Sequence, residues 1–438
     1  MAVAITLFLS ASPTAFGQDY IFEGPNYLLS DTSIIRAKSL DSVIIYNHRV
    51  NATFMIFSPG ASPSVSTYVE YLDTLFVKDF EVIDNTVYFC GYKEVSSVKT
   101  AMAGYFNINN FPGGYYRYFL LESCTEFNKL DYYRIDDNWG MFEDHLVLTG
   151  TTTGSRSDVI VDKMLFSTFP PGPSGSNTFI YFSNNLDEHF DDVITTENYI
   201  VVSSRNKRNN NPVADFWQFV KPAPGVSSIF SSPIQHKIIS NPAPATPIFL
   251  EHHKEDQYAA VYRDALYSKI TMVHLNAPNT VNYCIGISDD EFHTNHPIEI
   301  KYNKKSDIFD ILARAEYYRT PNAFVPSQIY HISQDVINNM VSFGNGTRYF
   351  DEFVWSIDPL KNTYYFSASG NNFKIYKYRH DFWGCSNSFS YLFEIGQPMH
   401  TNETSTVEYH MKSLSLQKKE PRRIKYDFNR NCYKFNKE

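Results

Sequence analysis

The feature that most constrains this chain is a sevenfold repeat of short apolar segments. Each unit contains a strand-like segment, a polar turn and a second strand rich in aromatic and β-branched residues, as in FEVIDNTVYFCGY from Phe80 onwards. Residues of these types favour strands. The centres of the repeated strands fall near residues 45, 89, 148, 202, 261, 316 and 366. Self-similarity at a period of this size predicts a repeat architecture.

Further strand-like segments follow the first two in each unit, for example at residues 115–121 and 280–287. About four short strands in about 50 residues are typical of one blade of a β-propeller. A lone four-stranded sheet buries too little apolar area to offset its ordering entropy, whereas stacked sheets cover one another. We therefore predict an all-β chain that forms a single β-propeller of seven blades, each with about four antiparallel strands. Six blades, or tandem β-sandwiches, are the alternatives.

Composition agrees with this fold class and excludes other classes of protein. Hydrophobic residues make up 43% of the chain and aromatic residues 16%, which is too much for a disordered protein. The 38 basic and 47 acidic residues give a net charge of −9. A surface of this charge repels phosphate backbones, so nucleic acid is not the predicted partner. Beyond the N-terminus, no stretch reaches the roughly 18 apolar residues that a membrane span needs, so no transmembrane segment is predicted.

The N-terminus predicts export. Residues 2–11 form an apolar run, and the small residues Ala15 and Gly17 precede Gln18. This is the pattern of a secretory signal peptide, although the run lacks a basic residue and a buried N-terminal strand is the alternative. We predict a signal peptide over residues 1–17, cleaved after Gly17. The mature chain, residues 18–438, would be secreted, periplasmic or at the cell surface, and soluble.

Both termini are expected to take part in closing the propeller. Residues 407–416 and 423–435 alternate like strands after the seventh unit, whereas the first unit, begun near residue 28, lacks an outer strand of its own. We predict that residues 403–438 close the ring onto this first blade. Five cysteines are present, and an exported protein can form disulfides. Cys385 and Cys432 flank the closure and are the pair that would form a disulfide there.

The chain resembles secreted bacterial β-propeller proteins. The resemblance rests on the signal peptide, the repeat of about 54 residues and the strand ends VYFCG, LVLTG, IVVSS and YYFSAS. It covers most of the mature chain but is architectural, because no WD dipeptide, kelch double glycine or Asp-box recurs at its proper spacing. Propellers have many unrelated functions, so the resemblance implies a scaffold and no particular activity.

Two polar loops contain the residues that we predict to bind a ligand. The loop 205–212 carries Arg205 and Arg208 among several asparagines and is suited to an anionic glycan or protein. The loop 288–297 carries His293 and His296 beside three carboxylates, which suits metal binding or acid–base chemistry. Solvated loops are the alternative for both. We expect both loops on the propeller face that carries the connections between blades, and alanine at these four residues should leave the melting temperature nearly unchanged.

Other acidic and histidine residues favour simpler interpretations. The segment 251–256, which contains His252 and His253, reads as a solvated turn on the opposite face. A set of carboxylates recurs near the predicted inner strands, where they would either form an acidic ring or cap strand starts and turns. These are Asp191, Asp192, Asp307, Asp310, Asp351 and Glu352.

Three functions fit these patterns. The first is a secreted, non-catalytic binding or interaction protein of the bacterial envelope, whose ligand is an unknown protein or glycan. The second is a carbohydrate-active propeller enzyme, a glycosidase or lyase, and the third is a structural component of a cell-surface complex. No nucleophile elbow, HExxH or phosphate-binding loop is present, so the first function is favoured. We assign no catalytic residue, metal or cofactor, and predict a monomer.

Overall fold

The computed structural model describes residues that lie almost entirely in β-strands and their tight turns. Helix is absent from these residues, which confirms the all-β class, and none of them forms a helix able to span a membrane. The described residues are 18–23, 35–38, 43–47, 52–58, 64–69, 75–83, 86–107, 117–121, 124–136, 142–152, 158–165, 178–182, 189–208, 211–221, 234–238, 242, 246–264, 270–277, 280–288, 293–304, 307–317, 328–333, 347–349, 353–358, 364–369, 372–378, 392–396, 400–402 and 417–418.

The strands within these ranges number 31. In chain order they are β1 (Gln18–Glu23), β2 (Ile35–Lys38), β3 (Val43–Asn47), β4 (Ala52–Ser58), β5 (Ser64–Val69), β6 (Leu75–Ile83), β7 (Thr86–Val95), β8 (Val98–Asn107), β9 (Arg117–Leu121), β10 (Cys124–Asp136), β11 (Phe142–Thr152), β12 (Asp158–Leu165), β13 (Thr178–Phe182), β14 (His189–Thr195), β15 (Tyr199–Arg208), β16 (Asn211–Val220), β17 (Ile234–Ile238), β18 (Phe249–His252), β19 (Gln257–Arg263), β20 (Ile270–Asn276), β21 (Thr280–Ser288), β22 (His293–Asn303), β23 (Ile308–Tyr317), β24 (Gln328–Ser333), β25 (Thr347–Tyr349), β26 (Phe353–Asp358), β27 (Tyr364–Ser369), β28 (Asn372–Tyr378), β29 (Leu392–Gly396), β30 (His400–Asn402) and β31 (Gln417–Lys418).

These strands form seven antiparallel sheets, each built around strands that are consecutive in the chain. Sheets 1 to 6 contain β2–β5, β6–β9, β10–β13, β14–β17, β18–β21 and β22–β25, and sheet 7 contains β26–β28 with β1. Strands β31, β30 and β29 add a fifth strand to sheets 2, 4 and 5. The seven repeat centres predicted from the sequence all lie in second strands, namely β3, β7, β11, β15, β19, β23 and β27. One repeat therefore corresponds to one sheet.

The N-terminal strand supplies the fourth strand of sheet 7, with Tyr20 opposite Tyr376. Sheet 1 holds four strands of its own. Of residues 403–438, predicted to complete the first blade, the structure describes Gln417 and Lys418, which pair with β9 of sheet 2. The closure by residues 403–438 stays a prediction. Residues 1–17, Cys385 and Cys432 lie outside the described residues, so the signal peptide and the disulfide also stay predictions.

The first strands of consecutive sheets lie side by side. Each of β2, β6, β10, β14, β18 and β22 contacts the first strand of the next sheet, and β26 contacts β2. In sheets 3 and 4, Lys129 lies 3.6 Å from Asp192, and further along both strands Asp131 accepts a hydrogen bond from Thr195. Neighbouring first strands therefore run in the same direction. We call the edge at which first strands begin the entry edge, and the edge at which they turn back into second strands the turn edge.

Apolar side chains fill the space between consecutive sheets. Between sheets 5 and 6, Val261 and Met272 pack with Ile300 and Ile311. The largest fully buried side chains are aromatic, and each removes about 150–250 Å² from water. They are Phe80, Phe89, Phe127, Phe216, Phe219, Tyr258 and Tyr262. The aromatic excess of the sequence thus contributes directly to the core.

A β-bulge interrupts the first strand of five sheets, and in each of these sheets a small residue lies opposite the start of a bulge. These residues are Gly91, Gly150, Ser204, Ala313 and Ser367. A second bulge in β10 begins opposite Thr152. A Cβ atom at Gly91 would lie 1.8 Å from the carbonyl oxygen of Phe76, and one at Gly150 would lie 2.3 Å from that of Glu126. The small residues that end VYFCG, LVLTG and IVVSS are therefore the residues that face the bulges.

The turn between β7 and β8 is strained, and relieving that strain should stabilise the protein. Ser96 and Ser97 have φ values of 50° and 64°, the left-handed region that two-residue hairpin turns require and that Asn-Gly adopts best. Replacing them together with Asn and Gly (S96N/S97G) should raise the free energy of unfolding by about 1 kcal/mol, measured by urea denaturation. The control S96A/S97A should not raise it, and an unchanged midpoint for S96N/S97G would contradict the strain.

Candidate functional site

Arg205 lies on β15 at the entry edge of sheet 4 and is bound to a buried carboxylate. Its Nε and Nη2 atoms each donate a hydrogen bond of 2.7 Å to Asp191. Asp191 also accepts a hydrogen bond of 3.0 Å from the backbone N–H of Ile248 in sheet 5. Burial raises the pKa of Asp191 to about 6, while the bonds from Arg205 act in the opposite direction. Arg205 therefore compensates a charge enclosed between two sheets.

The other predicted binding residues share this edge but do not form one cluster. Arg208 ends β15 and pairs with Asn211 across the hairpin. His293 and His296 lie at the beginning of β22 in sheet 6, and Nη1 of Arg263 lies 3.4 Å from Nδ1 of His296. Sheet 5 therefore separates the two arginines from the two histidines. Their role in binding stays a prediction.

A second feature of the entry edge is the tip of the β7–β8 hairpin, residues 94–99. The β6 ladder ends opposite Lys93, so the tip projects beyond β6. Val95 and Val98 at the tip are 56% and 64% exposed. Below them, Nζ of Lys99 lies 4.4 Å from the ring centre of Tyr92. The tip thus presents two apolar side chains next to a cation.

In four first strands, a carboxylate accepts a hydrogen bond from a backbone N–H of the next sheet. We call these four carboxylates the bridging carboxylates. They connect sheet 2 to 3, 3 to 4, 4 to 5 and 5 to 6. The acceptor and donor pairs are Asp79 with Leu130, Asp131 with Thr195, Asp192 with Leu250, and Glu251 with Tyr302. A buried backbone N–H needs such a partner. Their role is therefore to hold neighbouring sheets in register.

The acidic residues predicted near inner strands fall into three groups. Asp191, Asp192 and Asp310 are 8%, 7% and 1% exposed, so these three are enclosed rather than arranged around an open channel. Asp307 lies in the turn between β22 and β23, at the turn edge. Asp351 and Glu352 lie outside the described residues. For the three buried carboxylates, the acidic ring predicted as one possibility is wrong.

At the turn edge, sheets 5 and 6 are connected by a chain of hydrogen-bonded side chains that we call the histidine chain. Asn282 Nδ2 lies 2.9 Å from His274 Nδ1, and His274 Nε2 lies 2.9 Å from His253 Nδ1. His253 Nε2 in turn lies 3.4 Å from Asp307 Oδ1. The chain therefore runs from β21 through β20 and the β18–β19 turn to the next sheet.

The carboxylate end fixes the direction of every bond in the histidine chain. A carboxylate accepts hydrogen bonds, so a neutral His253 donates from Nε2 and accepts at Nδ1. His274 must then donate from Nε2 and accept at Nδ1, where the amide of Asn282 donates. In this arrangement both imidazoles are neutral and carry their protons on Nε2.

Asp307 collects three donors at one oxygen. Tyr302 Oη donates over 2.5 Å and Lys254 Nζ over 3.1 Å, in addition to His253. The hydrogen bond from Tyr302 is the largest of the effects that hold the pKa of Asp307 at about 2. Asp307 has a φ of 55°, a left-handed conformation that aspartate tolerates better than most residues. This turn is thus built to present the carboxylate to sheet 5.

The two histidines are enclosed by rings. His253 and His274 are 7% and 3% exposed, and the ring of His253 packs edge-on against Tyr302 and Phe309 at 4.6 and 5.2 Å. Burial lowers the pKa of both histidines, that of His274 to about 3. The prediction of a solvated turn over residues 251–256 holds for the exposed Lys254 but is wrong for His253.

The described residues contain no group of three or more His, Cys, Asp and Glu side chains arranged to hold a metal ion. No protein-family model matches the chain, and no curated protein matches it in sequence.

Proposed function

We propose that this chain is a secreted, non-catalytic binding protein built on a seven-bladed β-propeller, and that it binds a protein or glycan at the entry edge. The succession of contacts between first strands, from β2 to β26 and back to β2, supports the propeller. The pairing of β1 with β28 also supports it, because a strand from one terminus then completes the blade formed by the other end of the repeat.

The engagement of the buried carboxylates supports binding rather than catalysis. A glycosidase needs two carboxyl groups that reach the substrate at a fixed separation. Asp191 is paired with Arg205, and Asp192 bonds the backbone of sheet 5. Carboxylates used in this way are structural, so the carbohydrate-active enzyme is the less favoured alternative.

The observation that best supports binding at the entry edge is the exposure of Val95 and Val98 on the projecting β7–β8 tip. Single exposed apolar residues are common, but two at a projecting tip offer apolar area that a partner would bury. The basic loop 205–212 lies at the same edge. Variable loops and tips on a rigid scaffold are where specific contacts occur most often.

A pair of photo-crosslinking variants tests this assignment. A benzophenone amino acid at Val98 should form adducts with the ligand in material from the cell envelope, whereas the same residue at Val220 should not. Val220 is a matched control because it is also an exposed valine, 45% accessible, but ends β16 at the turn edge. Adducts formed only at Val220 would show that the ligand binds at the turn edge and would contradict the proposal.

Glycan binding should occur without turnover. On a glycan array, a bound glycan should keep its mass, and replacing Val95 and Val98 by Ser should weaken binding by about tenfold, equivalent to about 1.4 kcal/mol of lost apolar contact. Val220→Ser should leave binding unchanged. Shortened or unsaturated glycans after incubation would instead support the enzyme.

A further inference from the structure

We propose that the histidine chain is an acid-operated lock between sheets 5 and 6. It connects the β18–β19 turn, through His253, to the turn that carries Asp307. It lies at the turn edge, away from the proposed binding edge, so the proposal does not depend on the proposed function.

The lock is closed when both imidazoles are neutral and breaks when both are protonated. His253 accepts from His274 at Nδ1, and the two nitrogens lie 2.9 Å apart. One added proton on Nδ1 of His253 is accommodated only if His274 moves its own proton from Nε2 to Nδ1 and the amide of Asn282, 2.9 Å away, turns over to accept it. A second proton then places two N–H groups against each other between the histidines and breaks the chain.

The charged groups around the histidines set the pH range of opening. His253 faces Asp307, Lys254, His274 and Tyr302, and His274 faces His253 and Lys254. Burial and Lys254 disfavour a second positive charge here, while Asp307 favours one on His253. Because burial dominates and lowers both pKa values below 6.5, the lock is closed at neutral pH and opens on acidification below pH 6.5.

Opening should be local. The β18–β19 turn is also hydrogen-bonded to sheet 4. Asp256, in this turn, accepts hydrogen bonds from Thr196 Oγ1 and from the backbone and side-chain nitrogens of Asn198 in sheet 4. These bonds contain no histidine and remain when the chain breaks. Acid should therefore release the junction of sheets 5 and 6 while the junction of sheets 4 and 5 stays closed.

Hydrogen exchange of the full chain between pH 7 and pH 4.5 tests the lock. After correction for the intrinsic pH dependence of exchange, protection in segments 250–258 and 302–309 should fall by about tenfold as the pH drops, because opening becomes more populated. Segment 86–95, which contains no histidine, should keep its protection. In the variant His253→Gln/His274→Gln, whose amides donate and accept without titrating, the two segments should show no acid response.

The neighbouring His252 provides the matched control. His252 bonds the backbone oxygen of Glu255 outside the chain, so His252→Gln should respond to acid like the unmodified protein. An acid response that persists in the double glutamine variant would overturn the proposal, as would constant protection in the unmodified protein. Imidazole ¹⁵N spectra at pH 7 give a test without substitution, and a proton on Nδ1 of either histidine would also overturn it.

Discussion

Gly91→Ala is expected to lower the free energy of unfolding by about 3 kcal/mol. The added Cβ would lie 1.8 Å from the carbonyl oxygen of Phe76 and 2.8 Å from its carbonyl carbon. Both are backbone atoms of β6, so no side-chain rotation relieves the contact. Either β6 must move away from β7 or the bulge must be lost, and both changes disrupt the core of sheet 2. Urea denaturation followed by circular dichroism measures the loss.

Two further substitutions serve as comparisons for the stability loss expected of Gly91→Ala. Gly150→Ala should cost less, because its Cβ would lie farther from the nearest carbonyl oxygen, 2.3 Å away, and one of its other close contacts is the side chain of Phe127. Glu94→Ala lies on the same strand as Gly91, near its less buried end, and should change stability by about 0.5 kcal/mol or less. If Gly91→Ala had the same unfolding midpoint as the unmodified protein, the bulge in β6 would not be the reason for a small residue at position 91.

The sequence predicted the repeat because its strongest apolar runs are second strands. A strand such as β7 pairs on both sides, with β6 and β8, and carries buried residues such as Phe89. The small residues at the ends of these runs were visible too. Their cause was not, because the bulge that Gly91 faces lies in the preceding strand and leaves no pattern of its own.

Contacts between sheets could not be predicted from the sequence. Asp192 and Leu250 are 58 residues apart, and the repeat spacing varies too much for such a register to be counted. From the sequence, Asp191 and Asp192 could therefore be interpreted only as members of an acidic ring or as caps of strand starts and turns. His274 lies in the apolar strand ITMVHLN, a position that hinted at a buried histidine, but nothing in the sequence connects it to Asp307. The pairing of β1 with β28 joins the first described strand to the last strand of the seventh repeat, and it was likewise not predicted.

Arg205→Ala is expected to lower the free energy of unfolding by about 3 kcal/mol, because it leaves the buried carboxylate of Asp191 without its counter-charge. This differs from the sequence-based expectation that alanine at Arg205 leaves the melting temperature unchanged. Arg208→Ala is the matched control, since Arg208 ends the strand at the hairpin tip, and it should change stability little. Thermal melts at pH 7.5 measure both.

The pH dependence of this loss distinguishes the buried charge from lost packing. In the folded protein the pKa of Asp191 is raised from 3.8 to about 6, so between these values the folded chain holds a proton that the unfolded chain has released. The contribution of Asp191 to stability therefore falls as the pH rises through this window. Without Arg205 the folded pKa rises further and the window widens upward. The deficit of Arg205→Ala should thus be larger at pH 8 than at pH 5, and Asp191→Asn in the same chain should remove this difference. A deficit that is equal at both pH values would mean that Arg205 acts through its packed side chain, and that the carboxylate beneath it is stabilised by its backbone partner Ile248 instead.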